Sequence, residues 1–436
     1  MNYRPEQHIV RKGSRPRRVG SHVRSIAALC ALTLGVVGSL HGGGFQINEQ
    51  SARATAMAGT AAASMGDPTA MNVNPAVLSF LEGTHLSFGA TVIVPDYRFT
   101  GVTPEKMTTK MNPQALFPPN IYLTYSPGGG IAFGFSAVIP FAVKTEWDPA
   151  WVGRRVATKS ELQTVFLAPT FSFEPVSSLS IGVALNLVSS KLLLSRRIGF
   201  EPLSEAEGIA TYEGDTRFDY GFQLGMLYRP SSALSVGLAY RSRVSVNVPN
   251  GSATFIDVPP AASSSFPQTQ ASTSLSTPQS IHVGLGIHGG DIITLQGELQ
   301  YVLWSTFDSL PISFSNPAVP SVVFLEKWKD AYAARLGLEI VLEGVSLRGG
   351  ILYDQSPIPD AYVRPSAPDA NRVGYSVGFG SVVGENLHMD VALLYYHLVE
   401  RTVNDSKIEY MPGKLFNGSY SGSSTVFSVN ISYNWN

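Results

Sequence analysis

Residues 427–435, FSVNISYNW, alternate between apolar and polar side chains without a break. Phe427 and Val429 belong to the apolar row, and Ser428 and Asn430 belong to the polar row. Successive side chains of a β-strand point to opposite faces, so this strand has one apolar face and one polar face. The pattern is typical of a strand that meets lipid on one side and a polar lumen on the other.

The same alternation recurs along the chain, for example in residues 218–229 and 345–354. Beyond the first eighty or so residues we count fourteen strand-like stretches. Short turns at one rim and long loops at the other are typical of a bacterial outer-membrane barrel. The sequence therefore predicts an all-β fold, a fourteen-stranded antiparallel transmembrane β-barrel over residues 84–436. Six connections are tiny, at residues 127–129, 175–178, 230–233, 289–291, 343–344 and 384–386, and seven are long and polar, such as 95–118 and 247–270.

Composition excludes several other classes of protein. Only 14% of the residues are charged and 44% are apolar, yet no run of 18 apolar residues occurs, which excludes membrane-spanning helices. The net charge of -1 gives no support to a nucleic-acid partner. A soluble β-sandwich would also alternate, but it would need a second apolar face, and these strands have only one.

The N-terminal region predicts a secretory signal over residues 1–43. A basic leader precedes an apolar core at residues 26–40, which is too short to span a membrane as a helix. A basic DNA-binding arm is the alternative, and the apolar core directly behind it argues against that. Cys30, the single cysteine, falls inside this core, so the mature chain is expected to contain no disulfide.

Residues 44–83 lack strand alternation and are rich in Ala, Gly, Ser and Met. Residues 52–63 are compatible with a short helix, and Asn74-Pro75 is a turn signal. Small side chains permit close packing, so we expect an N-terminal plug inside the barrel. A flexible linker is the alternative that the composition leaves open.

Signals for catalysis are weak. Residues 374–378, GYSVG, match the nucleophile-elbow pattern around Ser376, but that motif requires a strand-turn-helix setting and here lies within an alternating strand. The eight histidines show no metal-ligand spacing, and we expect no cofactor and no metal.

Several motifs in order along the chain resemble the FadL family of outer-membrane transporters for long-chain fatty acids and other hydrophobic compounds. They cover nearly the whole mature chain, and together they are specific. These motifs are residues 44–50 (GFQINEQ), Asn74-Pro75-Ala76, residues 240–242 (YRS), 304–305 (WS), 328–332 (WKDAY) and 353–359 (YDQSPIP), and Pro368-Asp369.

The resemblance implies a fourteen-stranded barrel with an N-terminal hatch, capture of ligand at extracellular loops, and sideways exit through a kinked third strand. Pro140 lies well inside the predicted third strand, and proline cannot donate a ladder hydrogen bond, so we expect a lateral gate there. A harmless bulge is the alternative. Arg196, Arg197 and Lys329 lie near the places where the family puts positive charge around its pocket, although surface solvation or contact with lipopolysaccharide explains each of them equally well.

Exposed apolar side chains in long loops can mark a ligand groove. Phe200 follows the fifth predicted strand, and Phe255 and Phe266 follow the seventh, so we include these three among the candidate ligand-binding residues. Packing of the loops on each other is the alternative.

These patterns predict passive outer-membrane transport of hydrophobic ligands, with long-chain fatty acids as the expected cargo. The expected surroundings are outer-membrane lipid and lipopolysaccharide, and the expected state is a monomer. Three alternatives stay open: uptake of aromatic hydrocarbons by the same fold, an open diffusion porin, and an outer-membrane lipase that uses Ser376.

Overall fold

The computed structural model describes residues 43–102, 106–201, 203–216, 218–317 and 319–435. The predicted signal therefore lies outside the described residues except for Gly43. None of the helices in the described ranges combines the length and the apolar character that a membrane crossing requires.

Twenty-two strands follow one another along the described chain, and they fall into two groups. The first group closes into a ring, and the second lies in the long connections. In chain order they are β1 (Gly83–Gly101), β2 (Thr108–Lys110), β3 (Pro119–Gly128), β4 (Ile131–Glu146), β5 (Lys159–Val176), β6 (Leu179–Phe200), β7 (Ser204–Asp215), β8 (Asp219–Ser231), β9 (Leu234–Arg241), β10 (Val244–Ile256), β11 (Thr269–Thr277), β12 (Gln279–Gly289), β13 (Ile293–Leu303), β14 (Ser309–Phe314), β15 (Val322–Leu325), β16 (Ala331–Leu342), β17 (Val345–Asp354), β18 (Arg372–Val383), β19 (Leu387–Val403), β20 (Glu409–Met411), β21 (Lys414–Leu415) and β22 (Gly418–Trp435).

Fourteen of these strands form the closed ring, in the order β1, β3, β4, β5, β6, β8, β9, β12, β13, β16, β17, β18, β19 and β22. The last strand pairs with the first, antiparallel, from Thr84↔Trp435 to Gly101↔Gly418. Along β22, Phe427 is 46% exposed, whereas Ser428 is fully buried. The predicted fourteen-stranded barrel, with its apolar face outward, is confirmed.

The long connections contain more structure than the sequence predicted. The upper half of β6 pairs with β7, and the sheet continues through β10, β11 and β14 to β15. Because long loops of such barrels lie on the extracellular side, this second sheet rises above the outer rim. It carries the walls of the cavity described below.

The N-terminal plug contains a short α-helix and two 3-10 helices. Helix α1 spans Ala52–Ala56, and Ser51 caps it by accepting a hydrogen bond from the Ala54 amide at 3.2 Å. The 3-10 helices span Pro68–Asn72 and Pro75–Phe80, capped by Asp67 and Asn74. We call this segment, residues 43–82, the hatch. Three further 3-10 helices lie in the long connections, at Pro260–Ser265, Trp304–Thr306 and Asp360–Tyr362.

Glycines on the inner wall let the hatch approach the strands closely. A Cβ on Gly237 would lie 1.9 Å from the Ala62 carbonyl oxygen, and one on Gly225 would lie 2.1 Å from Asn74 Oδ1. Both positions therefore exclude any larger residue while the hatch is docked.

Candidate functional site: three cavities and a break in the wall

The outer cavity has a volume of about 180 Å³ and lies between β5, β6 and the extracellular sheet. Its lining is mostly aliphatic and aromatic. Phe255 and Phe266, two of the residues that the loop sequences pointed to, line it with ring centroids 5.4 Å apart. Others in the lining are Leu194, Tyr212, Ile312, Phe314 and Phe324.

Two guanidinium groups interrupt this apolar lining. Arg196 and Arg364 both reach the ring of Phe324, with their central carbons 5.4 and 5.3 Å from its centroid. Arg196 has no ion pair or hydrogen bond among the described residues. Arg364 Nε is buried without a well-directed hydrogen bond, so both groups have donors to offer to a ligand.

Glu326 is the one carboxylate in the lining, and its oxygen Oε1 lies 3.3 Å from Arg364 Nε. Glu326 lies in the connection between β15 and β16, outside the barrel wall. Burial raises the pKa of Glu326 to about 7, while Arg364 acts in the opposite direction. Burial also lowers the pKa of Arg364. With two cations and one carboxylate of raised pKa, the cavity is suited to an amphiphile with an anionic head group.

The remaining predicted residues lie at or beyond the edge of this cavity. Phe200 stacks edge-on against Phe266 at 5.3 Å and so supports the lining from behind. Arg197 lies 4.0 Å from Asp257 on the surface. Lys329 is exposed, and its amide donates to the Pro357 carbonyl. Whether any of these residues touches a ligand stays a prediction.

An aromatic box, formed by Phe45, Phe141, Trp304, Phe307 and Trp328, lies beside the outer cavity and beside a smaller one. The Phe45 ring lies 4.7 Å from Trp304 and 5.4 Å from Trp328. Trp328 Nε1 donates to Glu326 Oε2 at 3.2 Å, which joins the box to the outer cavity. On the other side, Phe45 lines an inner cavity of about 80 Å³.

Gly44 fits into the same box because it has no side chain. Its φ is +66°, and a Cβ would lie 2.8 Å from Trp328 Cζ3. Its amide donates to Asp369 Oδ2 at 3.2 Å. The start of the hatch is therefore held between two of the long connections, the one before β16 and the one before β18.

The third barrel strand, β4, is broken around Pro140. Pairing between β3 and β4 ends at Ile121↔Ala137, and pairing between β4 and β5 shifts register between Val138 and Phe141. Residues 115–118 turn instead toward β1, through the bridge between Ile93 and Leu116. A lateral cavity of about 240 Å³ fills the space between residues 115–118 and 139–144.

The hatch supplies the partners that the barrel strands leave out at this break. The Ile47 amide donates to the Pro140 carbonyl at 2.8 Å. Gln50 Nε2 donates to the Ile139 carbonyl at 2.8 Å, and the Ile139 amide donates back to Gln50 Oε1 at 3.2 Å. The backbone of the kinked segment is therefore satisfied by the hatch and not by the neighbouring strand.

The inner and lateral cavities lie back to back at this break. Ile47, Leu116, Ala142, Val143 and Lys144 line both of them. A shift of these side chains and of the hatch segment beside them would join the barrel interior to the outside of the wall.

Asn74, Pro75 and Ala76 anchor the hatch at a second place on the barrel wall. Asn74 Nδ2 donates to the Ala62 carbonyl at 2.7 Å and to the Met226 carbonyl at 3.1 Å. Ser180 Oγ donates to the Ala76 carbonyl at 2.6 Å. This motif therefore fixes the hatch to β6 and β8.

Ser376 serves the hatch in the same way. It lies in β18, is buried, and donates through Oγ to the Ala56 carbonyl at 2.8 Å. The described residues contain no group of three or more His, Cys, Asp or Glu side chains that could hold a metal ion.

Sequence reasoning missed Arg364, Phe324 and Glu326. Residues 322–325, VVFL, are too short to show alternation, and Arg364 lies in a long connection whose path the sequence does not indicate. The nearest available signal was the apolar run of 322–325 followed directly by a carboxylate.

Comparisons with known proteins agree with this geometry. The family model described as "Outer membrane protein transport protein (OMPP1/FadL/TodX)" matches residues 35–435. Among curated proteins, the long-chain fatty acid transport protein of Salmonella typhi is 22% identical over 419 residues, which cover 89% of this chain and 94% of that protein. A 47 kDa outer membrane protein of Pasteurella multocida is 24% identical, covering 93% of this chain and 97% of that protein.

Solved structures show the same fold. A Pseudomonas aeruginosa FadL homologue superposes with a TM-score of 0.82 at 19% identity, covering 90% of this chain and 100% of that chain. The Pseudomonas putida toluene transporter TodX superposes with a TM-score of 0.68 at 17% identity, covering 91% and 99%.

Proposed function

Because the chain belongs to the outer membrane protein transport protein family (OMPP1/FadL/TodX), we propose that it carries long-chain fatty acids across the outer membrane. The family consists of transport channels for hydrophobic compounds, and this chain is an outer-membrane β-barrel of that kind and not an enzyme. The observation that carries the proposal is the pair of guanidinium groups in an otherwise apolar outer cavity. A neutral aromatic hydrocarbon has no anionic group to pair with these two guanidinium groups.

Capture starts in the outer cavity, where the alkyl chain replaces water against Phe255, Phe266 and Phe314. The carboxylate pairs with Arg196 and Arg364, which otherwise hold spare donors in a poorly solvated place. Charge-assisted hydrogen bonds contribute about 1.5–3 kcal/mol each, so the head group adds clearly to the affinity.

From there the ligand passes the aromatic box into the inner cavity. Phe45 fills the box, so the first residues of the hatch have to shift for the ligand to pass. The other members of the box are aromatic, so they can stay buried when the alkyl chain of the ligand takes the place of the Phe45 ring.

Exit runs sideways through the break beside Pro140 into the lipid. Each buried methylene is worth about 0.8 kcal/mol, so release of a sixteen-carbon chain into water would cost on the order of 10 kcal/mol. Release into the bilayer avoids most of that cost, and no energy source is needed. We expect the barrel to act as a monomer surrounded by outer-membrane lipid and lipopolysaccharide.

The test is equilibrium binding of palmitate, 1-hexadecanol and toluene to the purified barrel in detergent. We expect palmitate to bind more tightly than hexadecanol. The double variant Arg196→Met/Arg364→Met should lose about tenfold or more in palmitate affinity, which corresponds to the loss of one charge-assisted contact, and should bind hexadecanol as before.

Arg197→Met is the matched control, because Arg197 is the next residue in the same strand but lies outside the cavity lining. Preference for toluene together with an unchanged double variant would contradict the fatty-acid proposal and favour uptake of aromatic hydrocarbons.

A further inference from the structure

Lys144 lies where the inner and lateral cavities meet. It is half-buried near the end of β4 and lines both spaces. Its neighbours in this shared lining are Ile47, Leu116, Ala142 and Val143, all apolar. A charged side chain that is shared by both cavities and lies among these apolar neighbours calls for an explanation.

Lys144 also has no partner of its own. Its cross-strand neighbour in register is Glu161, yet the two side chains form no ion pair, and the ammonium makes no hydrogen bond among the described residues. The donors of the Lys144 ammonium are therefore available to a ligand that passes between the two cavities.

The other charged groups that line the inner cavity are already engaged. Arg372 Nη2 lies 2.6 Å from Asp354 Oδ2. Asp369 accepts from Ser356 Oγ at 2.6 Å and from the Gly44 amide, and Glu49 accepts from the Tyr396 hydroxyl. Of the two cations in this lining, Lys144 is therefore the one whose donors are available.

We propose that Lys144 is a binding residue for the anionic head group at the exit, and that it receives the carboxylate as the ligand leaves through the wall. This inference rests on the proposed function and extends it. The head group would otherwise pass the apolar side chains of Ile47 and Val143, which line both cavities, without a free cation beside it. Three cations then follow one another along the path: Arg196 and Arg364 at capture, and Lys144 at release.

If the Lys144 ammonium binds the head group at the exit, its loss should lower the rate of uptake and leave ligand capture at the outer cavity unchanged. The test measures initial uptake of radiolabelled palmitate and 1-hexadecanol by cells that lack their own channel of this family and express the full chain. Folded barrel at the cell surface is quantified for every variant. The variants are Lys144→Met, Lys144→Arg and Lys159→Met, the last as a control for a lysine near the same β4–β5 pair that lines neither cavity.

We expect Lys144→Met to lower the maximal rate of palmitate uptake about tenfold, with the half-saturating concentration and hexadecanol uptake unchanged. Lys144→Arg and Lys159→Met should behave like the wild type. Equal palmitate uptake by Lys144→Met and wild type, or an equal loss for hexadecanol, would overturn the role of Lys144 alone. A wild-type chain that carries hexadecanol but not palmitate would overturn the fatty-acid function and this role together.

Discussion

The outer cavity and the break beside Pro140 are both openings in one barrel, but different parts of the chain close them. Side chains of β5, of the extracellular sheet and of the connections beside them enclose the outer cavity. At the break, by contrast, the hatch completes the wall through the hydrogen bonds of Ile47 and Gln50 to β4. The difference suggests that the first place is built to hold a ligand and the second to be opened.

The largest effect on this comparison should come from pushing the hatch away from the wall. Gly237→Leu places a side chain where the Ala62 carbonyl lies, 1.9 Å from the ideal Cβ position, so the hatch cannot dock. We expect the variant to give large, steady single-channel currents in planar bilayers, whereas the wild type gives little current.

Gly297→Leu is the control for that substitution, because a Cβ on Gly297 meets no heavy atom within 4 Å. Equal conductance of Gly237→Leu and wild type would show that the hatch does not block the lumen.

The second prediction distinguishes ligand binding in the outer cavity from ligand release through the break beside Pro140. Between Val138 and Phe141, β4 has one residue more than the matching part of β5, so deletion of Pro140 brings the two strands back into register. We expect fatty-acid uptake by cells to fall about tenfold or more, since release into water costs on the order of 10 kcal/mol for a sixteen-carbon chain. Binding to the outer cavity should stay as in the wild type, and a loss of both would mean that the deletion disturbs the whole barrel.

The smallest effect concerns the outer cavity alone and depends on pH. The raised pKa of Glu326, about 7, means that the side chain is neutral below that pH and anionic above it. Its negative charge competes with an anionic ligand for Arg364, so affinity for a ligand of constant charge should rise as the pH falls from 8 to 6. Hexadecanesulfonate has such a head group, and we expect it to bind about fivefold more tightly at pH 6, about 1 kcal/mol, the upper range for partly exposed charge pairs.

Glu326→Gln removes the titrating group and should bind hexadecanesulfonate equally at both pH values. A pH dependence that survives in this variant would assign the effect to another group. The same raised pKa has a consequence for stability. The folded chain keeps the proton of Glu326 to a higher pH than the unfolded chain does, so the free energy of unfolding should fall as the pH rises from the pKa of the unfolded chain through 7.

The sequence was sufficient to predict the barrel, because side chains of a membrane-spanning strand must alternate between lipid and lumen. A period of two runs through wall strands such as β22, and short turns at one rim separate the pairs, so the fourteen strands could be counted. Lipid-facing positions such as Phe427 and lumen-facing positions such as Ser428 tolerate no exchange of faces without burying polar groups in hydrocarbon.

The candidate site was less accessible because the constraints on it are not periodic. The loop sequences singled out Phe255 and Phe266, and the family resemblance singled out Arg196, but Arg364 and Phe324 reach the cavity only through the path of the chain. The helix of the hatch also ends earlier than its alanine-rich sequence suggests. Ala58 adopts a left-handed φ of +56°, which docking against the barrel imposes and which no local pattern indicates.

The bond between the Ile47 amide and the Pro140 carbonyl makes two distant parts of the gene depend on each other. A barrel that lost the hatch would leave the Pro140 and Ile139 carbonyls of β4 without their hydrogen-bond donors. A barrel that lost its kink would leave the N-terminal segment without a docking edge. The hatch and the kink of β4 are therefore expected to be retained together or lost together, because each supplies the hydrogen-bond partners of the other.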